Sequence, residues 1–169
     1  AFKGALADDV YSEYGADLRN IPADVREKQM HPGDIEAFLD NADVINKDVL
    51  RNFTNELRWP LYFLDYESIM PAVPMFDNSR PYQQICFQFS LHVQRTPGGE
   101  LEHYEYLHDD PNTDPRPGLI KKLIETTGDS GSVIVYNQGF EQGRNTEMAR
   151  DFPEYAAQLQ AINDRMVDL

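Results

Sequence analysis

Asp65 and Glu67 stand two residues apart in the string Leu61-Tyr62-Phe63-Leu64-Asp65-Tyr66-Glu67. On a strand, that spacing turns both carboxylates to the same side of a sheet. Like charges on one sheet face repel, and a shared divalent cation removes the repulsion. Two-metal phosphodiester hydrolysis needs carboxylates that converge in this way. They hold Mg²⁺ or Mn²⁺ ions about 4 Å apart, which activate water and stabilise the leaving oxygen. Four apolar residues precede Asp65 and place the pair where a buried strand would end. Spacing alone is not specific, since Glu100 and Glu102 repeat it and read as solvated strand positions.

A second stretch, Val133-Ile134-Val135-Tyr136-Asn137-Gln138-Gly139-Phe140-Glu141, has the form of a buried strand running into a helix. Asn137 could hold backbone or substrate through its amide. Glu141 could be a further metal ligand, or sit one layer behind the ligands. The plainer reading is an acid favoured by the helix dipole, with Phe140 in the core. Tyr66 and Tyr136 could stack bases, against simple core or rim packing.

The elements that must position these residues follow from periodicity. Residues 1–58 read as a helical, polar segment leading from an upstream domain. Ile35, Phe38 and Leu39 recur at helical spacing, as do Val49, Leu50, Phe53 and Leu57. Pro32-Gly33-Asp34 marks a helix start with Asp34 as N-cap, and Trp59-Pro60 closes the segment. An α/β pattern begins at Leu61. A buried strand enters Asp65, residues 71–81 form a proline-rich loop, Tyr82–Val93 is a second strand, and Leu101–Leu107 is its hairpin partner. Asp114-Pro115 opens a helix that carries Leu119, Ile120, Leu123 and Ile124 and ends at Gly128. Ser132–Tyr136 is another buried strand, and a helix starts near Phe140. Helical structure resumes at Pro153 and runs through Tyr155, Leu159, Ile162 and Met166. The order predicts a mixed sheet flanked by helices.

Composition bounds the rest. The chain has 169 residues, with 41% hydrophobic and 26% charged, as in an ordinary globular domain. No apolar run approaches the roughly 20 residues that span a bilayer, and no signal pattern opens the chain, so a cytoplasmic protein with no membrane partner is expected. The net charge of −14 argues against a broad basic nucleic-acid surface. It leaves room for an enzyme that meets phosphates through bound cations. Cys86, the single cysteine, lies in an apolar run and reads as a buried hydrophobe. His31, His92, His103 and His108 lack zinc-site spacing: His31 reads as loop, His92 as structural, and His103 and His108 as solvated residues flanking the third strand. Arg80 and Arg116 could touch phosphate, although Arg116 beside Asp114 reads more plainly as a local ion pair of little worth.

Leu64-Asp65-Tyr66-Glu67 resembles the first motif of DnaQ-type (DEDD) 3′–5′ exonucleases, and Asn137-x-x-Phe140-Glu141 resembles their second. Four longer strings are more particular: Tyr62–Ser68, Pro81–His92, Asp114-Pro115-Arg116 and Val135–Glu141. Together they resemble the bacterial family called domain of unknown function 2779, from about residue 45 to the end. The resemblance implies a ribonuclease H-like exonuclease-type domain over 59–169, incomplete at its C-terminus. It also implies metal-dependent attack on DNA or RNA ends within a longer protein, and a fused RecB-like nuclease domain. Asp65, Glu67 and Glu141 would be catalytic metal ligands, Asp168 an outer ligand, and Asn137 and Tyr66 substrate-positioning residues. The second motif ends here in Glu where the pattern has Asp, which moves the carboxylate by over an ångström. The third motif, a His or Tyr followed by Asp, is expected beyond Leu169. One rival reading is an inactive scaffold or guide module for a fused nuclease. Another is a glycosidase using Asp65 and Glu67, although no aromatic sugar platform is evident around Trp59.

Overall fold

A computed structural model of the chain describes residues 5–29, 32–41, 43 and 45–169, so His31 lies outside the described residues. The chain divides into two compact units, Ala1–Thr54 and Asn55–Leu169. The first contains helices α1 (Ala5–Tyr14), α2 (Ala23–Gln29) and α3 (Pro32–Asp40), and most of α4 (Lys47–Glu56). Its small cluster joins Val10, Leu18 and Ile21 to Tyr14 and Val25. Two expectations are corrected here. Helix α3 begins at Pro32 itself, so Asp34 lies in its first turn and favours the helix through its charge. Val49, Leu50 and Phe53 do share α4 at helical spacing, with Val49 and Leu50 exposed, but Leu57 falls past the helix end.

The second unit, among the described residues, is a five-stranded sheet in the order β3-β2-β1-β4-β5. The strands are β1 (Leu61–Ile69), β2 (Ile85–Gln94), β3 (Leu101–Leu107), β4 (Ser132–Val135) and β5 (Met166–Asp168). β1 and β3 each pair antiparallel with β2, and β1, β4 and β5 run parallel. Helices α5 (Arg116–Thr127), α6 (Gln138–Asp151) and α7 (Ala156–Asn163) complete the unit. The core joins one face of β1 and β2, through Leu64, Tyr66, Phe89, Leu91 and Val93, to Leu119, Ile120 and Leu123 of α5, Met148 of α6 and Leu159 and Ile162 of α7.

The mixed sheet and its flanking helices agree with the sequence reading, while four details differ. β1 is not buried on both faces. It alternates, with Phe63, Asp65 and Glu67 exposed and Leu64 and Tyr66 buried, as an antiparallel sheet with one open face permits. It also continues past Asp65 to Ile69, so the acids stand mid-strand. The residues near Met166 form β5 instead of extending a helix, because three residues suffice to pair with β4. Finally, Arg116 is not a surface residue. Its guanidinium is 1% exposed, donates to Asp114 at 2.7 Å and to Asp151 at 2.8 Å, and lies over the Phe152 ring. Gln83 donates to the same Asp151 oxygen at 2.6 Å, tying the long β1–β2 loop to the end of α6.

Candidate functional site

The acids of β1 project from the open face of the sheet. In the register, Asp65 lies opposite Ser90 and Glu67 opposite Gln88, with Glu105 the next strand's neighbour of Ser90. A bulge follows, where Ser68 pairs with Cys86 and leaves Phe87 as the extra residue in β2. One pair further back, the rings of His92 and His103 stack at 4.4 Å, and His103 lies within β3 instead of flanking it. The ring of His108 is engaged by Tyr106 and Thr113, so it is not simply solvated. Glu102 is likewise fixed by two bonds from Arg95. Past Glu67 the open face leads to Ile69, which lines a groove of about 250 Å³ with Met75, Phe76, Phe87 and Pro111.

β4 ends at Val135, short of Asp65, and the chain turns into α6. Asn137 caps this helix: its side-chain oxygen accepts the Phe140 N–H at 3.2 Å. Asp168, at the end of β5, accepts the Gln138 N–H at 2.8 Å through Oδ1. Both residues therefore hold the first turn of α6, from which Glu141 projects. Phe140 packs partly against the core.

Glu141 is only 4% exposed. Its carboxyl lies near the backbone N–H of Tyr66, the residue between the two β1 acids. Oε2 of Glu141 is buried with no hydrogen-bond partner. Burial foremost, then the Asp65 charge, push its carboxyl up to about 8, with Glu67 adding to the rise; the Tyr66 N–H and Arg144 oppose it. Arg144 lies over the Phe140 ring at 4.9 Å and pairs with Glu147 at 3.4 Å. The structure thus brings Asp65, Glu67 and Glu141 within electrostatic reach of one another, from two stretches more than seventy residues apart. Among the described residues, no group of three or more His, Cys, Asp or Glu side chains has the spacing of a metal site. The three acids raise one another's cost of ionisation, Oε2 of Glu141 stands unpaired, and their spacing does not by itself make a metal site.

Tyr66 does not stand where a base could stack. Its ring is buried in the core and its hydroxyl donates to Asn145 Oδ1 at 2.7 Å. Tyr136, by contrast, is 85% exposed. The polar residues behind the site were not foreseen. Asn145 is fully buried within α6 and Asn163 nearly so at the end of α7; an amide on the inward face of a helix was the available signal.

Among the described residues, no helix is long and apolar enough to cross a membrane. The chain is 28% identical over 142 residues to the uncharacterized protein MG366 homolog of Mycoplasma pneumoniae, an alignment covering 80% of this chain and 21% of that protein. It is 29% identical over 126 residues to the uncharacterized protein MG366 of Mycoplasma genitalium, covering 70% and 19%. It is 27% identical over 165 residues to the uncharacterized protein UU173 of Ureaplasma parvum, covering 78% and 23%. The chain thus spans about a fifth of the length of these relatives. The family profile described as Domain of unknown function (DUF2779) matches residues 62–169, from β1 through β5 with both acidic stretches inside, and the chain belongs to that family.

Proposed function

We propose that the second unit is a ribonuclease H-like domain of the DnaQ type that hydrolyses phosphodiester bonds at DNA or RNA 3′ ends, with Mg²⁺ or Mn²⁺ as cofactor. The observation that carries this reading is the relation of Glu141 to β1. Its carboxyl lies near the N–H of the residue between Asp65 and Glu67, and its Oε2 is buried and unpaired. A buried carboxylate facing two others is unfavourable in a fold chosen for stability alone. The resemblance noted in the sequence also fits the order of elements, since the two motifs lie on β1 and at the start of α6, with a hairpin and a helix between them.

In this reading Asp65, Glu67 and Glu141 hold the cation or cations, which supply water activation and stabilisation of the leaving oxygen. Asn137 and Asp168 fix the helix turn that carries Glu141. The open face beyond Glu67, down to the groove at Ile69, receives the strand end. The whole protein would be cytoplasmic and would carry a RecB-like nuclease domain as partner.

Calorimetric titration with Mn²⁺ tests the reading. Wild type should bind and Asp65→Ala should lose binding; equal heats from the two proteins would sink it. Release of nucleotides from an end-labelled single strand in Mn²⁺, abolished in Asp65→Ala, would extend the result to chemistry. A second reading, an inactive scaffold for a fused nuclease, is favoured by the absence of ligand-spaced acids among the described residues. It predicts no Mn²⁺ binding by wild type.

A further inference from the structure

The groove at the end of β1 is walled by two stretches, each held by its own hydrogen bonds. In the β1–β2 loop, the Ser79 hydroxyl donates to the Phe76 carbonyl at 2.6 Å and accepts the Phe76 N–H at 3.2 Å. After β3, Asp110 accepts the Asn112 N–H at 2.9 Å, and the His108 ring is engaged by Tyr106 and Thr113. The bulged residue Phe87 joins the two: it lines the groove, and its carbonyl accepts the His108 N–H at 3.0 Å. These bonds form the groove before any ligand arrives, which lowers the ordering cost of binding. Ile69 and Met75 of the lining are exposed, as are Met70 and Val73 of the same stretch and Leu107 beside His108. Apolar residues exposed together mark a surface that meets something. The volume, about 250 Å³, is below that of a pocket for a drug-sized ligand and suits one large side chain. Met75, unbranched and polarisable, adapts to the shape of such a side chain. Asp109 and Asp110 also line the groove, and no Lys or Arg does. Glu67 is exposed on β1 two residues before Ile69. Phosphate, an acidic peptide and a second copy of this chain, with its own charge of −14, all meet like charge here. An apolar side chain with cationic neighbours meets apolar walls and opposite charge.

We propose that this groove docks a partner protein that inserts one large apolar side chain flanked by Arg or Lys, with the flanking cations meeting Asp109 and Asp110. The docking site goes beyond the nuclease reading and does not rest on it. Where both hold, the inserted side chain and a strand end that reaches the groove exclude each other.

The test reads the methionine methyl signals of the chain by NMR, because Met75 lines the groove while Met148 and Met166 are buried in the core. The probe is an Arg-Trp-Arg tripeptide blocked at both ends. It should shift the Met75 methyl saturably and leave those of Met148 and Met166 unmoved. Arg-Ala-Arg, and Gln-Trp-Gln at low salt, should each bind about tenfold more weakly. Asp109→Asn should weaken the Arg-Trp-Arg complex roughly two- to fivefold, as for an exposed charge pair. Asp129→Asn, outside the groove, should leave it unchanged. No Met75 shift at about 5 mM Arg-Trp-Arg would overturn the proposal, since a contact that weak docks nothing. Equal affinity for Gln-Trp-Gln would show that charge does not select the occupant, and would overturn it as well. So would equal weakening by Asp129→Asn and Asp109→Asn, the mark of diffuse attraction to an acidic chain. A thymidine octamer that shifts Met75 more strongly than the peptide would assign the groove to nucleic acid instead.

Discussion

Replacing Glu141 by Gln isolates the charge of one buried carboxyl while keeping its shape. Burial and the neighbouring acids push this carboxyl from its ordinary 4.5 up to about 8. Between those values the folded protein holds a proton that the unfolded chain has released, so the stability of wild type falls as pH rises through that window. The slope is at most about 1.4 kcal/mol per pH unit, and over the whole window the ceiling is about 5 kcal/mol. Relaxation and water entry bring the realised value below that ceiling. Near pH 5 wild type carries a neutral carboxyl, and Glu141→Gln should match it within about 1 kcal/mol. At pH 9 the variant should be the more stable protein. Urea denaturation across pH 5–9 measures the difference, in which titrations shared by the two proteins cancel. Mn²⁺ at a hundred times its Kd should return about 2.7 kcal/mol to wild type at high pH and clearly less to the variant. A stability difference that stays flat from pH 5 to pH 9 would refute the reasoning, because it would mean that Glu141 is not held protonated by its surroundings.

Two further outcomes are expected from the same unit. Arg116→Met should destabilise by about 3–5 kcal/mol, because it strands the partly buried carboxylates of Asp114 and Asp151; a loss within about 1 kcal/mol in urea would show that the network is not needed. Burial pushes the Cys86 thiol up to about 12, so a thiol-specific reagent at pH 8 should label it only as fast as the protein unfolds. Labelling in native buffer as fast as in urea would contradict its burial.

The placement of Asp65 and Glu67 was legible because a strand's period of two is insensitive to tertiary context. What lies around them was not. The apolar run before Asp65 suggested burial on both sides, yet Phe63 faces out on the open side of the sheet. Ile162 and Met166 fit helical spacing, and nothing local distinguishes the three residues of β5, whose pairing partner Val133 is more than thirty residues away. Asp114 was a visible neighbour for Arg116, whereas Asp151 becomes one only when α5 and α6 are both in place. The same holds for Tyr66: its sequence neighbours advertise chemistry, while its hydroxyl is committed to an amide 79 residues away.

The two ends of α6 set their acids in different surroundings. At the C-terminal end Asp151 is partly buried against Arg116 and Gln83, and this charge is compensated on several sides. At the N-terminal end Glu141 is more deeply buried, but it faces Asp65 and Glu67, and one of its oxygens has no hydrogen-bond partner. One helix therefore carries a partly buried acid that is matched and a buried acid that is not. Burial without compensation costs about 1–3 kcal/mol even for a neutral polar group, and more for a charge. The turn capped by Asn137 and Asp168 holds Glu141 in that position. A proton satisfies the mismatch in part. A divalent cation shared with Asp65 and Glu67 would satisfy it more fully, since it would meet the unpaired oxygen and remove the repulsion that the proton only masks.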